Sequence, residues 1–509
     1  MSHDLDRQAQ TILRRNDRGG YTVPTHGLYP FQWNWDSAFV ALGFAEFDRD
    51  RAWQEIETLV SAQWDDGMIP HIVFHQDDEG YFPGPGIWGT GRTPPTSGIT
   101  QPPVLASVVR QLWEQEGANP AHPRMQRLYA ACLRSHRWFH RFRDPLGNGL
   151  VMVTHNWETG RDNSSEWDAA LARVDTSGVG TYRRRDTGHV DAAMRPQQHE
   201  YDRYVAILQF GRKAGWDHRE IADNGPFRMI DVGMSMELLR ANRDLLVLAE
   251  ALDDTAVAHE LKGRIALSEQ GIDWLWNDAI GAYCSRDATT FESSGLVTNA
   301  SFLAFYAGVG SAEQRARLLA ALERLTASAT YLVPSLEAGS REYDHRRYWR
   351  GPIWLVVSYM IALGLAEQGQ RPDHQPQLGD GVAGEALGVL PEAGLLVRDQ
   401  PEAALLHQLL QQLPALGGQR EVPQGARWCV LQRGFAVVVL AAELQAVELA
   451  PLAVAEALDQ RGVLACLQGI HQLDGEPAGA IFDRLDCRCG CSAHLGFGGR
   501  EGDVEAGIW

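Results

Sequence analysis

The run Tyr29-Pro-Phe-Gln-Trp-Asn-Trp-Asp36 gathers a tyrosine, a phenylalanine, two tryptophans and a carboxylate, and Tyr348-Trp-Arg-Gly-Pro-Ile-Trp354 answers it far downstream. Flat rings beside a fixed carboxylate suit a sugar: the rings stack on its C–H faces while the carboxylate grips its hydroxyls. A run that only filled a core would not usually carry Gln32, Asn34 and Asp36 alongside the rings. A second window able to do chemistry is His155-Asn-Trp-Glu-Thr-Gly-Arg-Asp-Asn-Ser-Ser-Glu-Trp-Asp168. Glu158, Asp162 and Asp168 are rival carboxylates there for acid–base work, and the residue types alone do not rank them. The bland alternative makes Asp162 or Asn163 a helix cap, and Arg161 next door is expected to lower the pKa of a neighbouring acid.

These residues must be positioned by a large core, which 509 residues at 44% hydrophobic content can bury as one big domain or two. A formal net charge of -19 argues against nucleic-acid and anionic-membrane partners, since both reward clustered basic residues. No apolar stretch reaches the ~20 residues of a membrane span, and Met1-Ser-His-Asp-Leu-Asp6 lacks the layout of a secretory signal, so a soluble, cytoplasmic protein is expected. Cys132, Cys284, Cys429 and Cys466 are scattered singles. Cys487-Arg-Cys-Gly-Cys491 is denser but lacks the second pair or histidines of a zinc site, so no metal or other cofactor is expected.

Apolar spacing of three and four predicts helices over Ala38–Phe47, Ala52–Ala62, Val104–Glu116, Met125–Phe142, Tyr204–Ala214, Met234–Leu252, Ala256–Trp276, Thr298–Gly308, Glu313–Leu325 and Ile353–Ala366. Some junctions between them are short. Others, Trp64–Thr100, Asp144–Asn163, Arg173–His199 and Thr326–Gly351, are long and rich in aromatic and charged residues. Helical hairpins with short turns at one end and decorated loops at the other suggest a ring of helix pairs whose loops converge on one mouth; an irregular bundle is the plainer alternative.

Tyr29–Asp36, Trp64-Asp-Asp-Gly-Met-Ile-Pro-His71, Gly160-Arg-Asp-Asn-Ser164 and Tyr348–Trp354, in this order, resemble glycoside hydrolase family 63, within it the bacterial branch of mannosylglycerate and glucosylglycerate hydrolases. The resemblance implies an all-α (α/α)6 barrel with its site at the mouth, and inverting hydrolysis of an α-glycosidic bond in a small carbohydrate. It makes Asp162 the general acid. It places Tyr29, Trp33 and Asp36 at the sugar-binding end, Tyr348, Trp349 and Trp354 on the opposite wall, and Gln101 as a polar contact to the sugar. Arg195, Tyr201 and Tyr81 match positions that would hold a glycerate carboxylate, a task suited to the planar fork of arginine. The plain readings are a surface salt bridge for Arg195 and a loop-packing ring for Tyr81.

The family's general base is a glutamate in a segment resembling Glu-Tyr-Phe-Asp-Pro, followed by Phe-Ser-Trp, and this chain has neither. After residue 369 its character changes: all 13 tyrosines lie at or before Tyr359, no asparagine follows Asn299, and only Trp428 and Trp509 remain of 16 tryptophans. A catalytic domain over 1–369 and an atypical tail over 370–509 are therefore expected. The tail is either an extra region of low sequence specificity or an out-of-frame end of the barrel. The second is favoured because the change coincides with the loss of family motifs and not with a linker. The barrel would then be incomplete at its C-terminal end. Glu392, Glu402 and Glu421 are the nearest candidate bases and none has supporting context, so the base stays unassigned. Beside a working glycosidase stand two alternatives: a relative impaired by the missing base, and a trehalase-like or oligosaccharide α-glucosidase.

Overall fold

The computed structural model describes residues 2–329 and 332–369. Fifteen helices occur among them: α1 (Ser2–Asn16), α2 (Asn34–Ala45), α3 (Arg49–Val60), α4 (Pro85–Trp88), α5 (Leu105–Gln115), α6 (Pro123–Phe142), α7 (Asp168–Leu171), α8 (Asp186–His189), α9 (Gln198–Lys213), α10 (His218–Asn224), α11 (Val232–Ala251), α12 (Thr255–Ile272), α13 (Leu303–Ala307), α14 (Ala312–Thr326) and α15 (Leu355–Gly369). Each of the ten predicted segments overlaps one of them, Thr298–Gly308 only in its second half, since Asn299–Phe302 is a 3-10 turn leading into α13. The true starts fall several residues early in places because the caps are polar and interrupt the apolar period: Asp48 accepts from the Arg51 N–H at α3, and Asp231 from the Met234 N–H at α11.

Two kinds of helix alternate. In α2 eleven of twelve residues are buried, in α11 fifteen of twenty and in α13 all five; α2 and α13 are apolar or small on nearly every side, whereas α11 also buries charged residues that pair, Arg240 with Asp244. In α3 only six of twelve are buried, in α12 six of eighteen and in α14 four of fifteen, so these carry one apolar stripe and a wet face. The buried helices pack in sequence, α2 on α5, α5 on α11, α11 on α13 and α13 on α15, while α3 covers α2, α6 covers α5 and α12 covers α11. Fully buried helices backed by half-buried ones are the inner and outer rings of an (α/α)6 barrel. Close approach is enforced at Gly364 of α15, where a Cβ would collide with the Phe305 carbonyl of α13.

The seven strands among the described residues are two residues long and serve as clasps. β1 (Gln32–Trp33) pairs antiparallel with β2 (Ile72–Val73), Trp33 opposite Ile72, which brings two of the aromatic motifs side by side. β3 (Met152–Val153) pairs with β4 (Met229–Ile230), and β4 with β7 (Arg286–Asp287), holding the loop after α6 against the start of α11. β5 (Trp276–Asn277) and β6 (Ala282–Tyr283) form a hairpin. No helix among the described residues is long and apolar enough to cross a membrane. The expected boundary after residue 369 marks the end of the described residues. The tail, with Glu392, Glu402, Glu421 and the Cys487–Cys491 cluster, lies outside them.

Candidate active site

The loop from His155 to Asp168 crosses the ring as two short 3-10 turns, Asn156–Thr159 and Ser165–Trp167. Between them Gly160 adopts φ 67°, and a Cβ there would lie 2.5 Å from the Trp35 indole, so only glycine lets the loop turn and settle on α2. Of the three rival carboxylates, two are committed to partners. Glu158 is fully buried against Arg143 at 2.7 Å and accepts from the Thr154 N–H. Asp168 pairs with Arg350 at 2.5 Å. The cap of the second turn is Ser164, whose hydroxyl accepts from the Glu166 N–H, so the expected capping role of Asp162 or Asn163 is not the one observed.

Arg161 corrects another expectation. Its guanidinium turns inward to Glu166 at 2.5 Å and Asp231 at 2.6 Å, all three side chains being almost fully buried. The cation that acts on Asp162 is Arg195. Burial pushes the Asp162 carboxyl up to about 7, against the opposing pull of Arg195 and of the Tyr348 hydroxyl, which donates to Oδ2 at 3.1 Å. An acid half-protonated near neutral pH is suited to giving a proton to a leaving group.

Asp162 lines a cavity of about 690 Å³, a volume that includes the open space at its mouth. The same cavity is lined by Tyr29, Trp33, Tyr81, Gln101, Arg195, Tyr201 and Tyr348, all picked out in the sequence. Tyr29 and Tyr81 both stand edge-on to Trp33, with centroids 5.3 and 5.9 Å away, and Gln101 Oε1 accepts from the Trp35 N–H at 3.2 Å. Arg195 is not on the surface: its side chain is 13% exposed, and it donates to Asp186 at 2.9 Å and to the Tyr29 hydroxyl at 2.7 Å. Its guanidinium also lies over the Tyr348 ring at 4.0 Å. Tyr81 both packs, edge-on against Phe31, and lines the cavity.

Three of the expected site residues stand off this lining. Trp349 and Trp354 stack on each other at 4.1 Å and 8°, next to Tyr348, and the Trp349 N–H bonds Asn163 Oδ1 at 3.0 Å; they brace the acid loop. Asp36, in the first turn of α2, has its carboxyl raised well above the usual range by burial and by the negative charges of Asp162 and Glu55. Conversely His71, Trp88, Trp157 and Asp186 line the cavity without having been singled out. His71 and Trp157 sit inside quoted motifs, whereas nothing local marks Asp186, which Arg184 at 2.6 Å and Arg195 hold below the usual carboxylate range despite its burial.

Residues 29–416 match the mannosylglycerate hydrolase MGH1-like glycoside hydrolase domain. Mannosylglycerate hydrolase MGH1 of Selaginella moellendorffii is 46% identical over 360 residues, 70% of this chain and 74% of its own length. The glucosylglycerate hydrolase of Mycolicibacterium hassiacum is 35% identical over 390 residues, 72% of this chain and 86% of its own. The crystal structure of the GH63 mannosylglycerate hydrolase from Thermus thermophilus in complex with Tris and D-glycerate superposes with a TM-score of 0.70 at 39% identity, covering 85% of this chain and 99% of that one. The chain belongs to the MGH1-like family of glycoside hydrolases.

Proposed function

We propose that this chain hydrolyses, with inversion, the α-glycosidic bond of a small glycoside carrying an anionic aglycone, mannosylglycerate or glucosylglycerate. The observation that carries this reading is that Asp162 and Arg195 line one cavity, each in contact with Tyr348. A sugar packed against the edge-on cluster of Tyr29, Trp33 and Tyr81 would place its glycosidic oxygen at Asp162 and its aglycone carboxylate at Arg195, where a guanidinium binds bidentately. The D-glycerate in the Thermus thermophilus relative supports an anion site of this kind.

In the reaction Asp162 gives its proton to the leaving oxygen as the bond to the anomeric carbon breaks. A second carboxylate, roughly 6.5–9.5 Å away, takes a proton from the attacking water on the opposite face. No residue is assigned that second role. The test is turnover of mannosylglycerate, glucosylglycerate and trehalose, followed by proton NMR of the anomeric signals. The β-anomer should appear first, from a glycerate-bearing substrate only. Cleavage of trehalose alone would overturn the anionic aglycone, and binding without turnover would favour a chain lacking its base.

A further inference from the structure

Resting on the reading of Asp162 as the acid and Arg195 as the aglycone anchor, we infer that the two are thermodynamically linked: filling the anion site at Arg195 loads a proton onto Asp162. The geometry supplies the link. Tyr348 offers its ring to the Arg195 guanidinium at 4.0 Å and its hydroxyl to Asp162 Oδ2 at 3.1 Å, and all three line one cavity. With the anion site empty, the guanidinium stabilises the ionised form of Asp162. A carboxylate seated on Arg195 cancels that field and adds a negative charge of its own, so a solvent proton is taken up on Asp162. The same proton then goes to the glycosidic oxygen when the bond to the anomeric carbon breaks. The aglycone charge thus acts on turnover as well as on binding, and a neutral aglycone leaves the acid more ionised.

Few other groups around the pair can titrate between pH 6 and 9. On the segment leading into α8, Asp186 is held ionised by Arg184 and Arg195, and Arg185 is ion-paired with Asp78. Around the rest of the cavity Tyr29, Tyr81, Tyr201 and Tyr348 are pushed above their ordinary range and stay protonated. His71, and His155 at about 3, are kept neutral by burial. On α9 Glu200 is paired with Arg347 and Arg350. Beneath the loop Arg161 faces Glu166 and Asp231, and Glu237 on α11, which feels both Arg161 and Asp231, is pushed up to about 8 by burial, so its uptake would persist in Asp162→Asn. Asp36 on α2 is also coupled to Asp162, and the Asp162→Asn control below separates it.

The experiment is calorimetric titration of the full chain with D-glycerate, from pH 6 to 9, in two buffers of different ionisation enthalpy, with glycerol as the neutral control. If bound glycerate raises the Asp162 pKa by about one, near pH 7.5 each bound glycerate should draw in roughly half a proton, and affinity should weaken about tenfold from pH 6 to 9. Glycerol should draw in none. In Asp162→Asn the uptake should vanish while glycerate still binds. Binding without proton uptake, or uptake that persists in Asp162→Asn, overturns the link while leaving the proposed anion site intact. Absence of glycerate binding overturns both the link and the aglycone assignment, and leaves the acid assignment to be judged by turnover.

Discussion

If burial holds the Asp162 carboxyl near neutrality, the residue costs stability, and Asp162→Asn should make the protein more stable at pH 8. Unfolded, the carboxyl titrates at its ordinary 3.8; folded, it titrates at about 7. Between those values the folded state binds more protons than the unfolded state, so stability falls as pH rises through this window and the full cost is present above pH 7. A rise of that size corresponds to an upper bound of about 4 kcal/mol. The cavity mouth admits water, which screens the charge, so about 1–3 kcal/mol is the expected gain. Asparagine retains an oxygen for the Tyr348 hydroxyl and matches the shape, so packing should not obscure the effect. The assay is urea denaturation of parent and variant at pH 4.5 and pH 8, with the expectation of a gain for the variant at pH 8 that shrinks to roughly a quarter at pH 4.5, where the folded carboxyl is protonated but the unfolded one is already mostly ionised. An equal change at both pH values, or a loss confined to pH 8, would show that Asp162 is ionised in the folded protein. This measurement needs no turnover, so it tests the acid independently of the base.

Four further outcomes follow from contacts already described. Arg195→Ala should reduce kcat/KM for a glycerate-bearing substrate roughly 10–100-fold, the equivalent of ~1.5–3 kcal/mol for a charge-assisted contact, while sparing a neutral glycoside; equal losses would assign Arg195 a structural role. Tyr348→Phe removes a hydrogen bond to the ionised form of Asp162, so the alkaline limb of the pH–rate profile should move up by about one unit, and a downward or absent movement would contradict the donor geometry. Glu158→Gln should destabilise by about 3–5 kcal/mol, seen in denaturant titration, because it leaves the buried Arg143 guanidinium unpaired; a stable but inactive variant would instead return Glu158 to the list of catalytic candidates. Gly160→Ala forces a methyl group into Trp35 at positive φ and should cost about 1–3 kcal/mol and displace the acid loop, to be checked by melting temperature and by the Trp35 environment in fluorescence.

The helices were legible because burial on one side or on all sides imprints a period of three to four, and that period survives in one sequence without relatives. α1 escaped because Ala9, Ile12 and Leu13 are a thin stripe in an otherwise charged stretch. Within the site, rings and carboxylates brought together by local sequence were visible as a group. What local sequence does not contain is the partner. Glu158 and Asp168 were seen to be committed elsewhere only when Arg143 and Arg350 were found against them, and Asp186 only entered when the turn within 186–195 was seen to bring it against Arg195. The direction of the Arg161 side chain is of the same kind: adjacency in sequence suggested a neighbour for Asp162, whereas Asp231, 70 residues away, holds it elsewhere.

That diversion of Arg161 explains how a costly carboxyl can be kept in place. Burial that raises the pKa of Asp162 also favours any motion that would return it to water, so the loop must be held by residues other than Asp162 itself. It is held on both sides. Gly160 seats the preceding turn on Trp35, and Arg161 is clamped by Glu166 and Asp231. Asn163 takes the Trp349 N–H, and the Asp162 carbonyl accepts from Asn156 at 2.8 Å. The Trp349–Trp354 stack then matters as the rigid support from which Tyr348 reaches Asp162, with Trp354 donating to the Tyr348 carbonyl at 3.1 Å. Tyr348 itself sits at φ 37°, a conformation a tyrosine adopts only when its surroundings impose it. The aromatic motif around residue 350 thereby contributes to the position of Asp162 through the backbone it fixes, and its two tryptophans need not line the cavity to matter for the proposed reaction.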